Sequence, residues 1–124
     1  MKEFYGINVL IVDDEVDICR TLDIFFRACG ASTFIAHNGK EAFEIVKRER
    51  VDFVISDIKM PGGDGIELLK NIRDHDPRLP TVLIVTGFSG ISREDAIKKG
   101  AVDLLTKPVG YDLIKKYIRE SLQS

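Results

Sequence analysis

No stretch of this 124-residue chain approaches the roughly 18 consecutive apolar residues that a membrane-spanning helix needs, so no membrane partner is expected. The first five residues are short and charged, without the apolar segment of a signal peptide, and nothing in them asks for export. Cysteine is scarce. Cys19 and Cys29 form no CxxC pair and match no zinc spacing, which predicts two small, buried, apolar side chains. Thiols left unpaired suit a reducing compartment, and the cytoplasm is the expected location. An excess of one charge is also missing: 18 basic against 20 acidic residues leave a net charge of -2. That balance argues against a general binder of nucleic acid or anionic membrane, which would carry a basic surplus. The glycines spell neither GxGxxG nor GxxxxGK[ST], so the usual nucleotide-phosphate cradle is absent. Linkers, low-complexity tracts and tandem repeats are missing too, and residues 1–124 read as one domain.

What is present is enough apolar sequence, 44%, for a single core. Five apolar runs, at 7–12, 33–36, 51–56, 81–85 and 101–105, alternate with segments of helical period. Three of the runs are almost continuously apolar, which suits strands covered on both faces. Ile18, Leu22, Phe25, Phe26 and Cys29 mark one face of a first helix closed by Gly30. A second helix spans about 40–48, with Asn38 placed to cap it and Glu41 three residues on. Asp64 with Glu67, and Ser92 with Asp95, repeat that spacing before a third helix and a shorter fourth one ending at Gly100. Ile114, Tyr117, Ile118 and Leu122 share a face of the fifth. Strand–helix alternation with short connections predicts an α/β fold: a parallel, doubly wound sheet of five strands with helices on both faces.

In such a sheet ligands bind beyond the carboxyl ends of the strands. There the sequence delivers Asp13, Asp14 and Glu15 after the first strand, Asp57 after the third, Thr86 after the fourth, and Lys107 with Pro108 after the fifth. Singly, each is an ordinary cap, turn former or surface lysine. Together they place complementary charges on one rim. Clustered carboxylates repel one another and call for a counter-charge, which a lysine and a hard divalent cation would supply. Magnesium binds through one or two carboxylates and leaves positions for phosphate oxygens. The set therefore suits phosphoryl transfer onto Asp57, with Lys107 and Thr86 offsetting charge on the transferred group and an acyl phosphate as product.

These residues resemble the receiver domain of bacterial response regulators. The resemblance rests on Val9-Leu10-Ile11-Val12-Asp13-Asp14-Glu15, Val54-Ile55-Ser56-Asp57-Ile58-Lys59-Met60-Pro61-Gly62, Asp64-Gly65, Val85-Thr86-Gly87 and Thr106-Lys107-Pro108, in that order. It implies a flavodoxin-like sheet of strand order 2-1-3-4-5, with Asp57 as phosphoacceptor. It further implies Mg2+ held by Asp13, Asp14, Asp57 and the backbone carbonyl of Lys59, with Thr86 as switch hydroxyl, Lys107 as phosphate contact and a cis Lys107–Pro108 bond. The implied partner is a sensor histidine kinase or phosphotransfer protein, recognised around the first helix and the loop before the fifth. The implied output and candidate homodimer surface is helix 4, strand 5 and helix 5, and the domain itself would turn over no separate substrate. A haloacid dehalogenase-type phosphatase does not fit, because Asp13 and Asp14 are adjacent where that family spaces its two acids.

Two positions depart from the commonest receiver pattern. Leu104 stands three before Lys107, where an aromatic that swings behind the threonine is usual, and Gly63 stands where methionine is frequent. The first removes the ring rotation; the second is expected to loosen the loop after Asp57. Arg93, Lys98, Lys99, Lys115, Lys116 and Arg119 fall near the output face as a solvated or docking surface. Direct nucleic-acid contact is not expected, since no recognition helix or stacking platform is apparent. His37 and His75 read as loop or helix-end residues away from the acids, and Lys59 and Phe88 as residues flanking access to the phosphoryl group. The same sequence would serve a single-domain regulator or a receiver within a longer transcription factor or hybrid kinase.

Overall fold

A computed structural model of the chain describes residues 2–87 and 90–123. Strands and helices alternate: β1 (Asn8–Val12), α1 (Val16–Ala28), β2 (Ser32–Ala36), α2 (Gly39–Arg48), β3 (Phe53–Ser56), α3 (Gly65–His75), β4 (Thr81–Thr86), α4 (Arg93–Lys98), β5 (Asp103–Thr106) and α5 (Tyr111–Ser121). The strands pair in parallel in the order β2-β1-β3-β4-β5, the flavodoxin-like arrangement expected. Both Lys107–Pro108 and Leu79–Pro80 are cis.

Two apolar layers sandwich the sheet. One gathers Leu10, Val12, Val54, Val82 and Ile84 against α2, α3 and α4; the other gathers Val9, Ile11, Phe53, Ile55, Leu83 and Val85 against α1 and α5. Alternate residues of one strand thus enter opposite layers, which is why β1, β3 and β4 read as unbroken apolar runs. The caps fall where their spacing put them. The Asn38, Asp64 and Ser92 side chains accept the backbone N–H of Glu41, Glu67 and Asp95 at 2.8, 2.7 and 3.0 Å.

Two strands start two residues later than the sequence reading, each for a local reason. The third strand starts at Phe53 rather than 51, and the Asp52 carboxylate caps the neighbouring strand by accepting the Asn8 N–H at 2.8 Å. The fifth starts at Asp103 rather than 101, because the Ala101 N–H still closes α4 onto Ala96. On α1 the buried stripe centres on Cys19 and Phe26, with Leu22, Phe25 and Cys29 beside it, while Ile18 stands at its margin. Cys29 itself is only half-buried.

The N-terminal segment is part of the core. Phe4 is fully buried in the α1/α5 layer, and its N–H donates to the Cys29 carbonyl at 2.8 Å. Glu3 beside it pairs with Arg119 and, at 3.6 Å, with Lys115, so two of the six expected docking cations belong to an internal tether. Phe4→Ala should lower unfolding free energy by about 3–5 kcal/mol, the range for an emptied phenylalanine site, as read from urea denaturation.

Candidate functional site

The parallel strands carry their last residues to one edge. Asp13 and Asp14 follow β1, Asp57 follows β3, Thr86 ends β4, and Lys107 follows β5. Asp57 stays in register because its N–H donates to the Val12 carbonyl at 3.0 Å, and the Asp13 N–H donates to Ala36 at 3.1 Å. Oxygens of Asp13, Asp14 and Asp57 lie within 4.8 Å of one another, with Asp13 buried, Asp57 half-buried and Asp14 exposed.

The Lys107 ammonium bridges two of these acids. Its Nζ donates to Asp13 Oδ2 at 2.9 Å and to Asp57 Oδ2 at 3.0 Å. Burial works against that charge, but the hydrogen bonds and attraction of Asp13 and Asp57 outweigh it and hold Lys107 above its ordinary pKa. The remaining carboxylate oxygens are held by main chain: Ile58 N–H donates to Asp57 Oδ1 at 2.7 Å, and Glu15 N–H to Asp13 Oδ1 at 2.9 Å. Thr86 is buried, and its carbonyl accepts the Lys107 N–H at 2.9 Å.

Several neighbours escaped the sequence reading. The Cys19 thiol donates to the Asp13 carbonyl at 3.3 Å, and burial, reinforced by the negative charge of Asp13, pushes its pKa up to about 11, so it stays protonated. His37, expected away from the acids, follows β2 directly, and its Nδ1 lies 3.1 Å from the same carbonyl. Its place after an apolar strand run was the available signal. His75 ends α3 and meets Phe43 edge-on, as a helix-end residue should.

The β3–α3 loop corrects the expectation of looseness at Gly63. Its carbonyl accepts the Gly39 N–H at 2.8 Å, its φ is 126°, and a Cβ there would sit 3.1 Å from the Lys40 nitrogen. Glycine is required by close approach and backbone conformation. Gly65 is tighter still, for an added Cβ would meet the Asp57 carbonyl oxygen at 2.0 Å. Lys59 lies exposed in this loop, and Phe88 falls outside the described residues.

Three carboxylates converge without a nitrogen or sulfur ligand among them, which fits a hard cation such as Mg2+. Asp13, Asp57 and Lys107 also border a groove of about 530 Å³ between α1 and α5, walled by Ile18, Leu22, Pro108, Val109 and Tyr111.

Residues 9–119 match the family model of the response regulator receiver domain. The transcriptional regulatory protein ZraR of Klebsiella oxytoca is 38% identical over 117 residues, 94% of this chain and 26% of that protein. This chain therefore spans about a quarter of the length of the first curated relatives it matches. Among solved structures, the CheX–CheY–BeF3–Mg2+ complex of Borrelia burgdorferi matches with TM-score 0.87 and 30% identity over 95% of this chain and 90% of the other. The Saccharomyces cerevisiae receiver domain of Ssk1, crystallised with the histidine phosphotransfer protein Ypd1, matches with TM-score 0.83 and 33% identity over 94% and 89%.

Lys107→Met, by removing the bridging charge, should tighten divalent-cation affinity by roughly tenfold, since relieved like-charge repulsion is worth about 1–2 kcal/mol at such sites. Titration of the protein with Mg2+ checks this, and unchanged or weaker binding would contradict it.

Proposed function

The chain belongs to the response regulator receiver domain family and serves two-component phosphorelay signalling, and on that premise we propose that Asp57 is its phosphoacceptor. The observation that carries this reading is the Lys107 ammonium shared between Asp13 and Asp57 beside a third, exposed carboxylate. An Asp57 oxygen forms a bond to phosphorus as the bond from phosphorus to a donor histidine nitrogen breaks, and the electron pair stays on that nitrogen. The product is an acyl phosphate. Both Asp57 oxygens are engaged at rest, Oδ1 by Ile58 N–H and Oδ2 by Lys107. The lysine therefore exchanges its Asp57 contact for an oxygen of the incoming group, while Asp13 keeps it anchored over the site.

Asp13, Asp14, Asp57 and the backbone carbonyl of Lys59 would hold Mg2+. Bound there, the ion offsets charge on the phosphoryl oxygens. Thr86 is the hydroxyl we assign to sensing the phosphoryl group, and Lys59 the residue that flanks its access to water. The apolar groove between α1 and α5 suits a helical face of a histidine kinase or phosphotransfer protein, since it opens onto the acceptor. All of residues 1–124 form the receiver in this reading. It turns over no separate substrate and works in the cytoplasm, where its two free thiols are stable. Output and a dimer mate are assigned to α4, β5 and α5, where Ile97 and Val102 are exposed beside Lys98 and Lys99.

Incubation with acetyl phosphate and Mg2+ should add one phosphoryl group by intact mass, with no gain in Asp57→Asn or when the metal is chelated. A wild-type protein that gains nothing, and fails to bind beryllofluoride, would overturn the assignment.

A further inference from the structure

β5 opens on a carboxylate, Asp103, whose side chain is only 3% exposed. At that depth an ionised group needs partners. Arg93 of α4 supplies two guanidinium donors, Nε to Oδ1 and a second nitrogen 3.2 Å from Oδ2. The Tyr117 hydroxyl of α5 donates to Oδ2, and the Leu104 N–H donates to Oδ1 at 2.8 Å. Burial would raise the Asp103 pKa, but Arg93, Tyr117 and the Leu104 amide outweigh it and bring it below the ordinary value. Burial and the adjoining carboxylate push Tyr117 up to about 12. At neutral pH the acid is ionised and the phenol protonated.

The position of this cluster gives it a consequence. α4 packs in one apolar layer and α5 in the other, so the two helices share no core. β5 is the edge strand, and Arg93 and Tyr117 reach its carboxylate from either side of that edge. Asp103 pairs with Leu83 and Thr106 with Thr86 in the same ladder, so a shift of β5 against β4 near Thr86 displaces the carboxylate. The donors must then follow or leave a buried charge short of partners. Arg93 is 65% exposed and can release into water, whereas Asp103 cannot. Such a fork has discrete engaged and released states. Leu104 packs on the α4 layer and has no side-chain polar atom to make a directional link.

We propose that the Arg93–Asp103–Tyr117 clasp is the element through which α4 and α5 respond together when Asp57 is phosphorylated. The proposal rests on the phosphoacceptor reading of Asp57. Amide hydrogen exchange, with and without Mg2+ and beryllofluoride, tests it in wild type, Tyr117→Phe and Arg93→Met. Intact mass after acetyl phosphate is measured on the same samples. All three proteins should gain the phosphoryl group, and wild type should show changed exchange in both α4 and α5. Tyr117→Phe keeps the ring in the core and should lose the α5 response alone; Arg93→Met should lose the α4 response alone. Responses that survive both substitutions would overturn the clasp. Wild type that gains no phosphoryl group would instead overturn the acceptor reading, and the coupling with it. Independently of phosphorylation, urea denaturation of the two single variants and the double variant should show non-additive losses, and strict additivity would also sink the clasp.

Discussion

One ammonium holds the acidic edge of this domain together. Asp13 and Asp57 end strands that are direct neighbours, and two carboxylates so close repel unless a positive charge lies between them. Lys107 provides that charge from β5, which is separated from β3 by β4. To reach the acids its side chain must pass over the end of β4, and its backbone N–H is tied to the Thr86 carbonyl on the way. The three strand ends and the buried threonine are thus joined through a single residue. A change of charge at Asp57 has to be felt at Lys107, and through its main chain at Thr86 and β5.

That connection runs toward the edge of the sheet where the polar clasp sits. The inner strands are covered by apolar side chains on both faces, which resist sliding because close-packed interiors tolerate little change of volume. The edge strand is different. It carries a buried acid satisfied by side chains from two helices, and such partners can be exchanged in discrete steps. The core therefore keeps Asp57 in place, and the edge is where a change can be expressed. The basic residues near this face divide accordingly. Arg93 serves the clasp, Lys115 and Arg119 tether the N-terminal segment through Glu3, and Lys98 and Lys99 remain exposed to solvent beside α4.

The loop after Asp57 illustrates why composition misleads about motion. Glycines at 62, 63 and 65 suggest a slack segment, yet Gly63 is bonded to the start of α2 and Gly65 is pressed against the Asp57 carbonyl. Their lack of a side chain lets backbone approach backbone, and that contact braces Asp57 from behind. The Ser56 hydroxyl donates to the same Asp57 carbonyl at 2.8 Å, and the Gly65 N–H ties the loop to the Ile58 carbonyl at 2.7 Å.

Much of this was legible in the chain. Apolar runs and helical periods of the right lengths dictate five alternating strands and helices, because burial on two faces and on one stripe leave different patterns. The caps at Asn38, Asp64 and Ser92 were legible because capping acts over three residues. The acids, Thr86 and Lys107 were legible as a set, since every parallel strand must deliver its last residue to the same edge. Contacts between residues distant in sequence were not. His37 meets Asp13, Phe4 fills the α1/α5 layer, and Arg93 and Tyr117 converge on Asp103, though nothing local in the chain pairs them. Periodicity and caps are written within a few residues of themselves, whereas these partners exist only after the crossovers have brought separate elements side by side.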